Sequence, residues 1–276
     1  MNRDNLRKSF EKIGARVTIR KGSSLARDGV IRMNVTNDKQ GEHFTMTIHP
    51  DINESEITLQ VLDFDPKLRQ MLIFIRAPRI DSSWVGGRQI FKRGKPNETF
   101  DERLLLGRDE MHWFVAGVTM AKNIREAFAL LRPKAVNISM IRQGVKTKEW
   151  KKRKTKGFIR QGEWFFVPVN FQEDKSTIIH KNEPISRRGG TSHVVEEVVR
   201  FGGETVYVKR DRIITESEYK SLSPEERLGF SQQVRGATVL GRGKVKHPDH
   251  HTINLPSWHE IHISTEVGNS TNAFID

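Results

Sequence analysis

The chain has no cysteine. That removes disulfides, thiolate nucleophiles and cysteine-based zinc sites together. It also has no apolar run of about 18 residues, so no membrane-spanning helix is expected. Residues 1–17 (MNRDNLRKSFEKIGARV) lack the apolar centre of a secretory signal, and a cytoplasmic protein is the expectation. No Gly-x-x-x-x-Gly-Lys-Ser/Thr loop occurs. Gly86-Gly87, Gly189-Gly190 and Gly202-Gly203 read as turns, which argues against a nucleoside triphosphatase. Acid is scarce in one place above all, since Glu149 is the only acidic residue between Lys134 and Arg160.

What is present is positive charge. The 276 residues carry a net charge of +13 and a pI near 10.0. Such a field draws polyanions, and nucleic acid is the expected partner. RNA is favoured slightly over DNA. No groove-reading helix is evident, and the basic residues sit among strands and loops.

The pattern predicts an α+β protein, rich in mostly antiparallel strands with a few short helices. Residues 3–13 read as an amphipathic helix closed by Gly14. Period-two alternation predicts strands at 15–20, 30–36, 43–49 and 57–62. The continuous apolar run Met71–Ile75 predicts a central strand. Residues 78–102 read as a long exposed loop carrying Arg79, Arg88, Lys92, Arg93 and Lys95. A strand is expected at 111–118 and a helix at 122–131, ended by Pro133. These make an N-terminal unit, 1–133. Residues 134–160 read as a basic linker or binding segment, and 161–276 as a C-terminal unit. In that unit 191–200 reads as a helix, two capping boxes predict helices at 216–221 and 224–229, and the tail 267–276 reads as frayed.

Three constellations could carry chemistry. The first is the basic segment. Its Lys146, Lys148, Lys151, Lys152, Arg153, Lys154, Lys156 and Arg160 can follow phosphates, and Trp150 offers a face for an unstacked base. Arg242, Lys244 and Lys246 extend this basic set. The second is a histidine cluster, His247, His250, His251, His259 and His262, within 234–262. On an extended chain His247, Asp249 and His251 would share one face and could ligate Zn, Mn or Mg. A metal-free acid/base pair is the alternative. The third is His193 with Glu196 and Glu197, which on a helix would share a face as metal ligands or as a base and its orienter.

Asp249–His262 resembles the lettering of HNH endonucleases, with Asp249-His250-His251, Asn254, His259 and His262. That family implies a ββα-metal fold with a loop between the first His and the Asn, whereas only Thr252 and Ile253 separate His251 from Asn254 here. More of the chain is similar to a group of bacterial and phage-encoded basic proteins. The shared runs are His112–Ala116, Gly162–Phe166, His193–Glu197, Val234–Gly236, Gly243–His250 and Trp258-His259. That resemblance implies an order of motifs and no particular activity.

The expected function is nucleic-acid processing. A His/Glu site drawn from His193, Glu196, Glu197, His247, Asp249, His250, His251 and His259 would cleave phosphodiesters, with Lys246 or Arg242 stabilising phosphate charge. The alternative is a non-catalytic nucleic-acid-binding accessory protein of a phage or mobile element.

Overall fold

Met71–Ile75 explains the first half of the molecule. In the computed structural model, which describes residues 2–22, 30–85, 88–95, 97–186, 191–210 and 212–265, both sides of this run are covered. Met71, Ile73 and Ile75 enter one core cluster, and Leu72 enters another. A strand buried on both faces needs no polar alternation, which is why the run is continuous.

The chain divides into two units after Leu131. The first contains α1 (Arg3–Glu11), β1 (Val17–Lys21), β2 (Ile31–Asp38), β3 (Gly41–Ile48), β4 (Thr58–Asp65), β5 (Gln70–Pro78), β6 (Ile80–Val85), β7 (Arg88–Arg93), β8 (Thr99–Asp109), β9 (His112–Gly117) and α2 (Ile124–Leu131). Strands β4-β5-β8-β9 form an antiparallel sheet. One of its faces packs with α1 and the sheet β1-β3-β2, and the other packs with α2. The expected loop over 78–102 is instead the β6–β7 hairpin and the start of β8. Mixed charge belongs there because a two-stranded ribbon offers much of its surface to solvent.

The second unit contains α3 (Lys134–Arg142), β10 (Ile159–Gln161), β11 (Trp164–Pro168), β12 (His180–Ile185), β13 (His193–Phe201), β14 (Glu204–Lys209), β15 (Arg212–Thr215), α4 (Glu216–Ser221), α5 (Pro224–Arg227), β16 (Ser231–Arg235), β17 (Thr238–His247) and β18 (His250–Ile263). Its main sheet runs β10-β11-β18-β17-β13-β12, antiparallel throughout. The small sheet β15-β14-β16 stands apart, with α4 and α5 following β15. The two capping boxes are present, at Thr215/Glu218 and Ser223/Glu226. The fold is α+β and mostly antiparallel.

Two expectations are corrected here. Residues 134–160 are not a free linker: they begin with α3, and Val136, Met140 and Phe158 pack with Phe165 and Val167 of β11. Residues 191–200 form a strand, not a helix. Val194-Val195 and Val198-Val199 mimic a helical stripe, but β-branched residues also suit a strand buried on both sides. Val195 and Val198 face one cluster while Val199 faces another. A register slip against β17 between Val195 and Glu197 hides the period-two alternation. Among the described residues no helix is long and apolar enough to cross a membrane. The expected turns at Gly86-Gly87 and Gly189-Gly190 and the tail 267–276 lie outside the described residues.

Candidate metal centre

The β17–β18 hairpin turns on Pro248 and Asp249, so His247 pairs directly with His250 across it. On the neighbouring strand, Val194 pairs with Lys246 and Val195 with Val245, which brings His193 beside His247. The three rings pack against one another. His193 and His247 are stacked with centroids 4.2 Å apart, His193 and His250 are 5.6 Å apart, and His247 and His250 are 4.7 Å apart. One nitrogen from each ring can be chosen so that all three lie within 4.8 Å of one another.

The group closes one end of an apolar cluster formed by Trp164, Phe166, Val195, Val198 and Val245. Trp164 meets His193 edge-on at 6.2 Å. His193 is 1% exposed, and neither of its ring nitrogens has a hydrogen-bond partner. Burial, reinforced by His247 and His250, pushes its pKa down to about 3. The ring is therefore neutral at physiological pH, which is the form that ligates metal. A buried imidazole with two bare nitrogens implies a partner such as an ion or water.

His247 is already oriented. Its Nε2 lies 3.2 Å from the Thr191 carbonyl, which can only accept, and its Nδ1 lies 3.1 Å from the Asp249 N–H, which can only donate. These two bonds fix one tautomer and occupy both ring nitrogens: the Nδ1 lone pair accepts from the Asp249 N–H, so His247 ligates an ion only by exchanging that bond for the metal. A ring N–H held by a backbone carbonyl is the usual support behind a metal-bound histidine.

His250 lies against Gly162, whose φ is +57°. The glycine ends β10, and Gln161 beside it reaches the hairpin from the other side. Its Nε2 donates to the His251 carbonyl at 2.7 Å and to the Val245 carbonyl at 3.4 Å. Those two carbonyls fix the amide orientation and leave the buried Oε1 without a partner. Neither Gln161 nor Gly162 stands out as chemistry in the sequence. Only the short turn before the apolar run hints at the glycine.

The remaining expected residues disperse. Asp249 contributes its N–H to His247 and lies outside the three-histidine group. The ligand set expected at His247, Asp249 and His251 is thus corrected to His193, His247 and His250, because the tight turn reverses the chain where an extended strand would have alternated. His251 is exposed. His259 is buried opposite Gly241, its Nδ1 donating to the Ser257 carbonyl at 2.7 Å, and burial lowers its pKa. His262 is also lowered by burial, with Glu260 opposing.

Glu196 and Glu197 lie on the sheet face away from His193, so the shared helical face does not exist. Glu197 pairs with Lys181 and Arg242, and these partners hold its pKa below the usual carboxylate range. Arg242 also pairs with Glu173 at 2.7 Å and lies 4.5 Å from the Trp258 ring. It is committed to that network rather than to the histidines.

In the basic segment Lys146, Lys148, Lys151, Lys152, Lys154 and Lys156 are exposed. Trp150 is not presented for stacking: it packs in the α3 cluster and donates from Nε1 to the Val145 carbonyl at 3.0 Å. Arg153 is half-buried, and burial followed by the nearby Arg160 lowers its pKa to about 10. Arg160 lies over Phe165 and donates from Nε to the Gly162 carbonyl at 2.7 Å.

Comparison with known protein families, curated sequences and solved structures finds no match to this chain. Three histidines on adjoining strands, without a carboxylate among them, can hold one divalent ion. Imidazole donors suit zinc better than magnesium, which prefers oxygen.

Proposed function

We propose that this chain is a cytoplasmic nucleic-acid-binding protein that cleaves phosphodiesters at a zinc ion held by His193, His247 and His250. The observation that carries the reading is the convergence of these rings around a buried imidazole with two bare nitrogens. Zinc supplies a Lewis acid for the phosphoryl oxygen and an activated water. The exposed lysines of 146–156 contact the backbone without reading bases.

A second reading keeps the metal and drops the chemistry. Burial of His193 and the absence of a carboxylate from the group favour a structural ion in a nucleic-acid-binding protein.

One experiment separates the two. Labelled single-stranded RNA, single-stranded DNA and duplex DNA are incubated with the protein in EDTA, zinc, manganese or magnesium, beside His193→Ala and His250→Ala. Cleavage restored by zinc and lost in both variants supports the enzyme. Shifted but intact strands under every condition leave only binding. No shift at low salt contradicts both readings.

A further inference from the structure

The sheet that carries the histidines on one face carries a groove on the other. The groove encloses about 340 Å³ and is lined by Lys181, Asn182, Val194, Glu196, Lys244 and Lys246. That volume falls within the range of small-ligand sites, which begins near 300 Å³.

We propose that this groove binds one nucleotide of single-stranded RNA, with the lysines on phosphates and the Glu196 carboxylate accepting the ribose 2′-hydroxyl. The inference rests on the nucleic-acid reading and names its substrate.

Lys244 and Lys246 alternate on β17, so they project from one face about 7 Å apart. That repeat suits neighbouring phosphates of an extended single strand. Among the described residues neither lysine pairs with a carboxylate, although Glu196 lines the same groove. Lys181 is shared with Glu197. Among the described residues that line the groove none is aromatic, and its lysines and carboxylate suit sugar and phosphate rather than base.

Glu196 is the residue that decides the ligand. The register slip between β13 and β17 leaves the Lys244 N–H to a side chain, and Glu196 Oε2 accepts it at 2.8 Å. The carboxylate sits against Gly243, whose φ is +84°; a Cβ there would lie 2.6 Å from Oε2. One oxygen is therefore fixed on the backbone, and the same side chain lines the groove. A carboxylate between lysines repels a phosphate chain unless the chain also offers a donor. RNA offers the 2′-hydroxyl and DNA does not. Lys246 and His247 are consecutive on β17 and project from opposite faces, so the groove is a binding site separate from the metal centre.

Fluorescence anisotropy tests this with single-stranded RNA and DNA of one sequence. It is run in EDTA so that cleavage plays no part, with circular dichroism verifying the fold of each protein. Wild type should bind RNA about tenfold tighter than DNA, the worth of one charge-assisted hydrogen bond. Lys244→Ala/Lys246→Ala should weaken both strands alike and lower the salt slope by about two. Glu196→Gln keeps the cap on Lys244 N–H but removes the charge, and it should bring DNA to within about twofold of RNA. Equal binding of RNA and DNA by wild type overturns the proposal, as does an RNA preference that survives Glu196→Gln. Cleavage at the histidines without RNA preference would sink the groove alone, and RNA preference with no cleavage in the zinc-supplemented incubation would sink the cleavage reading alone.

Discussion

A Cβ on Gly162 would lie 2.7 Å from Nε2 of His250. The glycine is there because the turn needs positive φ and because the imidazole occupies the space a side chain would fill. Gly162→Ala should therefore displace His250 and weaken zinc binding about 10- to 100-fold, as changes behind metal ligands commonly do. A chelator-competition titration reads this. Unchanged affinity would mean that His250 is not a ligand in its observed position.

Gln161 is tied to the same hairpin by two bonds to backbone carbonyls. Gln161→Leu removes both bonds from the buried amide and should cost about 1–3 kcal/mol in urea unfolding. His251→Ala, at an exposed position, should leave zinc affinity unchanged. The contrast separates the inner support of the hairpin from its outer face.

Trp150 and its neighbouring lysines should part company. Trp150 belongs to the α3 cluster, so Trp150→Ala should destabilise by roughly 2–4 kcal/mol. At temperatures where it stays folded it should bind nucleic acid normally. Lys148→Ala/Lys151→Ala should do the reverse, leaving stability within about 0.5 kcal/mol and flattening the salt dependence of binding. Thermal melts and anisotropy on the same variants decide it.

Glu102 gives the first unit a pH dependence. It sits on β8 opposite Ile75, on the face that Phe100 and Leu104 turn toward the core, and burial pushes its pKa up to about 7. The folded state thus holds a proton that the unfolded state releases near the ordinary glutamate value. Below that value the group costs nothing. As pH rises from about 4.5 to about 7, stability should fall by up to about 1.4 kcal/mol per unit, then level off. Glu102→Gln should remove this slope, raising stability at pH 8 and leaving it nearly unchanged at pH 4. Urea midpoints across that range are the measurement.

Where local chemistry was sufficient, the sequence could be read directly. The capping boxes at Thr215 and Ser223, the stripe Ile124–Leu131 and the central run Met71–Ile75 form as their residues dictate. Other elements depended on partners. The valines around Glu196 fit a helix or a doubly buried strand, and only β12 and β17 decide between them. α3 was hidden because its apolar residues precede a dense basic run. For the site, density of histidine pointed to the right hairpin, but spacing along an extended chain chose the wrong face. The two-residue turn pairs His247 with His250, and strand pairing delivers His193 from more than fifty residues away.

His193, His247 and His250 should act together as one metal site, which a zinc titration of the metal-free protein reads out. One zinc per chain should bind at submicromolar Kd in wild type, and His193→Asn, His247→Asn and His250→Asn should each abolish that site while His259→Asn keeps it. Zinc binding that is absent in folded wild type, or that persists at equal affinity in the His193 variant, would mean that the three histidines do not form a zinc site.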